Sequence, residues 1–582
     1  MSGAAHCPIP WSAELLALSQ RHGARLAVRD GEQALDYAAL CRQAHALAAW
    51  LGQAVAGQPA PRAPVPSPPE SGQPAPSLLD TPVPPEPSLP KPGRSTPGVT
   101  ASGLRIGVLL HNGCRAVLAD YGVAVAGGCI VHLNPAYGED ELRGCLRRAP
   151  VDAVLTEAAL APRLAGLDLP VLVIEQVPLA DAPPVRVALA PADAAAPGRI
   201  LFTSGSSGPP KAVVYSHYKR WLAATVLRSV LPYRPEGSGL LLMTPYVHGA
   251  SMLARAWLDC GGWVQLHAGV QSGLVREALA DDGLQAMFAP PSVLAKLCTE
   301  LAGLRRPLRC LFSGTQPLPP ALYCRALPIF GPVVRITYGK SENLNPITVL
   351  DPAECDAVYG APCGETPGGD AAGAERPAAC IPGSAASADV AYAAGTSGCC
   401  VGRPGPGVDL MLAPDGEVLL RSQHMFDGYL TEQGWQPHAP DAWHATGDTG
   451  RWDAAGRLWL TGRTNQIVNS GGYKINPDEV ADAVRAVAGV SDALVVGIAS
   501  DYWTEVLVCA YVASDPALDV VTLRQALAGL TAYKQPRLYV ALDALPQTPM
   551  GKPSPQGLRA HIARHYTLTD GPRPQLSPRP SG

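Results

Sequence analysis

The densest chemistry in the chain lies in one run, Thr203-Ser204-Gly205-Ser206-Ser207-Gly208-Pro209-Pro210-Lys211. Four hydroxyls, glycines that admit a close backbone approach, and one cation suit polyphosphate oxygens, which need many N–H and O–H donors and a balancing charge. The spacing differs from GxxxxGK[ST], so a Walker A loop is excluded. Taken alone, a Ser/Gly-rich surface loop reads the same way, so the other polar segments decide between the two.

Three such segments follow. Arg335 to Glu342 (RITYGKSE) places Tyr338, Gly339, Ser341 and Glu342 after a strand-like run. An aromatic face there can stack on a purine, and a carboxylate beside a hydroxyl can hold a magnesium ion against phosphate. His444 to Arg463 (HATGDTGRWDAAGRLWLTGR) sets Asp448 after a tight turn and Arg463 at the end of a strand-like run. A carboxylate in such a place accepts from vicinal ribose hydroxyls. Leu545 to Lys552 (LPQTPMGK) is a proline-framed loop presenting one lysine. Singly, each also reads as an ordinary turn, a capping aspartate or a solvated lysine.

The elements that must position these residues alternate. Leu35 to Val55 has apolar residues at helical spacing, and Arg105 to Leu110 is a buried-strand run before the Asn112-Gly113 turn. Arg115 to Ala126 and Glu139 to Arg148 suit helices. Gly128 to Leu133, Val151 to Leu155, Pro170 to Ile174 and Gly198 to Phe202 suit strands. This order predicts an α/β fold with parallel strands, helical crossovers, and ligand loops at strand ends such as the one after Phe202. Two stretches interrupt it. Residues 54–103 are rich in Pro and Ser and are expected to be a disordered surface insertion, and residues 359–398 form a Gly/Ala/Pro-rich insertion.

Bulk properties exclude some partners. The 582 residues carry 45 basic and 49 acidic side chains, a formal net charge of −4, and no long run of one sign to track a nucleic acid or an anionic membrane. No stretch of about 18 apolar residues marks an integral membrane segment. The 15 cysteines include no CxxC pair. A cytoplasmic protein is the expectation.

In collinear order from about Leu35 to Arg559, apart from the two insertions, these segments resemble the adenylate-forming superfamily of acyl-CoA synthetases, peptide-synthetase adenylation domains and luciferases. The resemblance implies a large, multi-subdomain N-terminal α/β domain over residues 1–463 and a small, mobile α+β C-terminal domain over 464–566. Residues 567–582 would be a flexible tail. By the same resemblance Thr203, Ser204, Gly205, Ser206, Ser207, Gly208 and Lys211 form the phosphate loop, Tyr338 stacks on adenine, and Gly339 belongs to the nucleotide site. Glu342 with Ser341 serves Mg2+, Asp448 and Arg463 bind ribose, Lys552 is the catalytic lysine, and Lys211 and His248 are implied as catalytic residues beside it. Thr244-Pro245-Tyr246-Val247-His248-Gly249 resembles the substrate-gating stretch, giving Tyr246 and His248 to the acid pocket. Ser313-Gly314-Thr315-Gln316-Pro317 resembles the lining shared by adenine and acyl group.

The implied reaction joins ATP to a carboxylic acid, expels pyrophosphate, and passes the acyl group to a thiol after the small domain rotates about a hinge at Asn465, where Asp or Lys is usual. Asn469 to Val480 (NSGGYKINPDEV), with Gly471, Gly472 and Lys474, is close to the form typical of acyl-CoA synthetases, so coenzyme A is the expected acceptor. The segment around His248 lacks the aspartate that would hold a substrate ammonium, which favours a fatty or aromatic acid over an α-amino acid. One alternative is an acyl-AMP ligase loading the phosphopantetheine of an acyl carrier protein. Another is a non-catalytic nucleotide-binding or interaction protein.

Overall fold

The computed structural model describes residues 7–55, 103–203, 211–247, 249–360, 398–466, 468–470, 473–500, 503–530, 532–548, 551–571 and 573–579. They fall into two compact units. The first holds residues up to Gln285 with Lys340–Asn345 and Ser422–Ala442, and the second holds Ala286–Gly339, Pro346–Arg421 and the segment from Trp443 onward.

The first unit is built on an eight-stranded sheet. Pro197–Thr203, Cys129–His132, Arg105–Leu109, Ala153–Thr156 and Val171–Val173 lie side by side in that order, all parallel. Cys129–His132 and Ala153–Thr156 are buried at every position, the pattern of strands covered on both faces. The helix Glu139–Arg148 shows why these crossovers form. Leu142, Cys145 and Leu146 make one buried stripe, three acids occupy its first turn, and two arginines its last, matching the helix dipole.

Beyond Thr203 the expected strand-to-helix alternation stops. The chain returns antiparallel as Lys211–Ser216, with Thr203 opposite Lys211, so the polar loop joins a hairpin instead of entering a helix. Gly428–Thr431 then pairs antiparallel with that returning strand, and Gly434–Pro437 completes the edge. Gly428 is required there: its φ is +158°, and a Cβ would meet the Gln436 carbonyl oxygen at 2.3 Å. Elsewhere in this unit Gly239–Leu242, Trp263–Leu266 and Leu26–Arg29 run parallel, with Ala34–Asp36 antiparallel at the edge.

In the second unit Cys310–Gly314 lies parallel between Leu284–Phe288 and Val334–Lys340. Cys399–Pro404, Leu458–Arg463, His444–Trp452 and Glu417–Ser422 follow as antiparallel neighbours. A separate five-stranded sheet carries Val490–Ser500 and Thr504–Ala513 as antiparallel neighbours. Alternation along these strands feeds two cores. Val495 and Leu507 pack with Val480 and Val484, whereas Val496 and Val508 pack with Leu558 and Ile562. The helix Pro477–Arg485 starts where the Asn476 side chain accepts from the Asp478 N–H.

The described part of residues 567–582, expected to be a flexible tail, carries most of a hairpin. Tyr566–Thr569 pairs with Gln575–Pro578, and Leu568 and Leu576 pack on the second of those cores. Nearly all of both insertions, residues 56–102 and 361–397, lies outside the described residues. Among the described residues no helix is long and apolar enough to cross a membrane.

Candidate active site

In the first unit the hairpin register sets Thr203 and Lys211 directly opposite each other at the mouth of the polar loop. Ser204, Gly205, Ser206, Ser207 and Gly208 lie outside the described residues. Lys211 is exposed, with its ammonium 5.2 Å from the centroid of the Tyr429 ring. The Tyr429 hydroxyl donates to Glu342 Oε1 at 2.8 Å. Burial, and after it Glu342, pushes the Tyr429 phenol up, which keeps it a donor. Two more bonds hold the backbone around Glu342: the Phe426 N–H donates to the Glu342 carbonyl at 3.0 Å, and Tyr215 donates to the Ser341 carbonyl at 2.6 Å.

Glu342 is only 8% exposed, and among the described residues it has no ion-pair partner. A buried carboxylate without a cation is costly. Among the described residues no group of three or more His, Cys, Asp or Glu could hold a metal by itself. One buried, hydrogen-bonded carboxylate is the donor set suited to Mg2+ that arrives on phosphate oxygens, because that ion keeps its waters and takes one or two carboxylates.

The segment before the helix Gly249–Asp259 is clamped by two residues that sequence reasoning missed. The Asn112 carboxamide donates to the carbonyls of Thr244 at 2.6 Å and His267 at 3.0 Å, and accepts from the Tyr246 N–H at 2.8 Å. The buried Arg199 donates to the Val247 carbonyl at 3.3 Å and to Ser251 Oγ at 2.6 Å. Burial lowers its pKa to about 10, against the raising effect of Asp120. The buried hydroxyls of Thr244 and Tyr246 have no hydrogen-bond partner among the described residues. His248 lies outside them.

In the second unit, strand pairing builds a second polar cluster. Asp448 stands opposite Arg463 in the antiparallel register, and Arg463 Nε donates to Asp448 Oδ1 at 2.9 Å. Tyr338 donates to Asp448 Oδ2 at 2.5 Å. Desolvation, then Asp448, raises the Tyr338 phenol well above its ordinary value. Next to the strand that ends in Tyr338-Gly339-Lys340 lies Ser313-Gly314-Thr315. A Cβ on Gly314 would meet the Thr337 carbonyl oxygen at 2.4 Å, and Thr315 is the one non-glycine described residue with positive φ, at 68°. Such strain on a β-branched residue marks a segment held by its surroundings. Ser313 Oγ is buried without a hydrogen-bond partner among the described residues.

In the Lys552 loop, Thr548 and Lys552 bond each other. Thr548 N–H donates to the Lys552 carbonyl at 2.7 Å, Lys552 N–H donates to Thr548 Oγ1 at 3.2 Å, and Gly551 takes φ +73°. Gln316 Nε2 donates to the Gly551 carbonyl at 3.5 Å, which brings this loop to the Ser313–Pro317 stretch. Asn465 sits in the 3-10 turn Thr464–Gln466, and Lys474 pairs with Asn469 across a short hairpin. Gly471 and Gly472 lie outside the described residues.

Of the residues singled out from the sequence, the first unit thus gathers Lys211, Ser341 and Glu342, and the second gathers Tyr338, Asp448 and Arg463. Beside Asn112 and Arg199, Tyr429 is a third residue the sequence did not reveal. In MFDGYL it reads as an ordinary strand tyrosine, and its partner Glu342 lies 87 positions away.

Residues 98–430 match the family described as AMP-binding enzyme, and residues 479–552 match the AMP-binding enzyme C-terminal domain. Among curated relatives, a plipastatin synthase polypeptide of Bacillus subtilis (strain 168) is 27% identical over 511 residues, spanning 81% of this chain but only 18% of that protein. The sulfoacetate–CoA ligase of Cupriavidus necator is 27% identical over 474 residues, spanning 78% of this chain and 86% of that one. Among solved structures, o-succinylbenzoate CoA synthetase from Bacillus subtilis, in complex with its acyl-adenylate intermediate, aligns with a TM-score of 0.71 at 19% identity. It covers 95% of this chain and 98% of that one. The chain therefore belongs to the AMP-binding enzyme family of the adenylate-forming superfamily and is an acyl-CoA synthetase-like ligase.

Proposed function

We propose that the enzyme activates a fatty or aromatic carboxylic acid with ATP, releasing pyrophosphate, and then forms the coenzyme A thioester in the cytoplasm. The observation that carries this reading is the buried Glu342 carboxylate, without a cationic partner among the described residues and hydrogen-bonded by Tyr429, whose ring also faces Lys211.

In this reading the loop from Thr203 to Lys211 holds the β- and γ-phosphates, and Glu342 with Ser341 serves the metal. Tyr338 and Gly339 border adenine, together with Gly314 and Thr315. Asp448 and Arg463 hold the ribose. Held at Glu342, Mg2+ would supply positive charge to offset the phosphate oxygens. Lys552 bridges the carboxylate and the α-phosphate as charge develops during attack. Tyr246, His248 and Ser313 line the acid pocket. Residues 464–566 act as a mobile lid that turns about Asn465 between the two half-reactions, with Gly471, Gly472 and Lys474 along the thiol path. The relatives named as CoA ligases support the choice of acceptor.

Pyrophosphate release from a panel of fatty, aromatic and amino acids, with and without coenzyme A, tests the reading. Release with a fatty or aromatic acid, together with thioester formation when coenzyme A is present, is expected. Acyl-AMP that accumulates with coenzyme A yet is consumed by a phosphopantetheinylated carrier protein would assign the other acceptor. No release with any acid would remove the catalytic reading.

A further inference from the structure

We propose that Tyr429 is a positioning residue that fixes the phosphate-loop cation and the metal-serving carboxylate with one side chain, its ring against Lys211 and its hydroxyl on Glu342. The proposal rests on the roles given above to Lys211 and Glu342.

Three observations carry it. The first is the pair of contacts: the Lys211 ammonium lies 5.2 Å from the ring centroid, and the hydroxyl is 2.8 Å from Glu342 Oε1. An aromatic face attracts an ammonium, and a phenol hydroxyl donating to a carboxylate makes a charge-assisted bond. The second is the seat of Tyr429 itself. Gly428, Tyr429 and Leu430 pair in register with Val214, Val213 and Ala212, on the strand that begins at Lys211. The ring also lies 4.6 Å from Phe426, which is stacked on His438 at 4.8 Å. Tyr429 is therefore anchored to the same strand as the lysine it touches.

The third observation concerns what Glu342 and Lys211 lack. Among the described residues Glu342 Oε1 accepts one side-chain hydrogen bond and Oε2 none, so Tyr429 is the group that orients the carboxylate and leaves the other oxygen for a metal. Lys211 has no ion pair among the described residues, and a lysine stem keeps many rotamers unless something holds it. One side chain therefore does two separable jobs. The hydroxyl sets Glu342 and the ring sets Lys211.

The test uses the full-length protein and measures ATP binding by calorimetry, and pyrophosphate release, across a series of Mg2+ concentrations. Tyr429→Phe keeps the ring and removes the hydroxyl. It should raise the Mg2+ concentration for half-maximal ATP binding about three- to tenfold while ATP affinity at saturating Mg2+ changes less than about twofold. Tyr429→Leu removes both contacts and should in addition weaken ATP binding at saturating Mg2+ about threefold or more. An unchanged Mg2+ dependence in Tyr429→Phe overturns the proposal, as does an equal loss at every Mg2+ concentration in both variants. Glu342→Gln separates the two levels. If it abolishes the Mg2+ dependence and Tyr429→Phe leaves it in place, only the positioning role falls. If Glu342→Gln leaves it intact, the reading of Glu342 falls and the proposal with it. Thermal melts of each variant report folding, and Tyr429→Phe should melt within a few degrees of wild type.

Discussion

Glu342 and Asp448 invite comparison because they are built alike and differ in ion pairing among the described residues. Both are buried carboxylates, and each accepts a hydrogen bond from a tyrosine, Tyr429 at 2.8 Å and Tyr338 at 2.5 Å. Asp448 also faces Arg463 across the strand pair, with the guanidinium 2.9 Å away. Glu342 has no such cation among the described residues. A carboxylate neutralised by its own strand partner is ready for neutral hydroxyls. In the proposed reading, the one left unpaired would be completed by a cation that comes with the ligand. Local register builds the first kind of site, and packing between distant segments builds the second.

A group outside both clusters sets the scale of the largest effect. Lys552→Ala should lower adenylate formation on the order of 100- to 1000-fold while thioester formation from supplied acyl-AMP falls far less. Half-reaction assays check this, and equal loss of both steps would refute the role. Within the comparison, Glu342→Gln removes the unpaired charge and should lower pyrophosphate release on the order of 100-fold at saturating Mg2+. It should leave the melting temperature unchanged or raised, because no protein ion pair is broken. Asp448→Asn should act the other way round. It strips charge from two hydrogen bonds and leaves Arg463 unpaired, so KM for ATP should rise roughly 10- to 100-fold with a smaller change in kcat. Melting temperature should also fall. Steady-state kinetics beside calorimetry would break the comparison if both variants showed the same pattern.

His217 offers a smaller contrast, a buried titratable group whose neighbours keep it neutral. Burial, and after it Arg220, lowers its pKa to about 3, and Trp11 Nε1 donates to its Nδ1 at 2.9 Å. The unfolded chain therefore takes up this proton first, and stability falls as pH drops below about 6.5, by up to about 1.4 kcal/mol per pH unit until the folded value is reached. Denaturant melts between pH 6.5 and 4.5 should show a shallower acid slope, by nearly one proton, in His217→Gln than in wild type.

The parts legible in the sequence share a cause. Asp448 and Arg463 lie 15 positions apart on neighbouring strands, so the motif already contains their geometry. The helix Glu139–Arg148 was legible to the residue because its apolar stripe and end charges agree. The hairpin that replaces the expected crossover after Thr203 was not legible, since the strand that covers it, Gly428–Thr431, arrives more than 200 positions later. Tyr429 was hidden for the same reason. Nothing in MFDGYL separates a tyrosine that touches Lys211 and Glu342 from one that fills a core. The hairpin from Tyr566 was missed because its two leucines are too few for a periodic signal.

The central claim is that a carboxylate oxygen attacks the α-phosphorus of ATP. It is tested most directly by supplying an accepted acid with both carboxylate oxygens labelled with oxygen-18, together with ATP and coenzyme A, and analysing the nucleotide product by mass spectrometry. The account predicts AMP carrying one labelled oxygen, with unlabelled pyrophosphate. Label in inorganic phosphate with formation of ADP, or AMP without label, would contradict it.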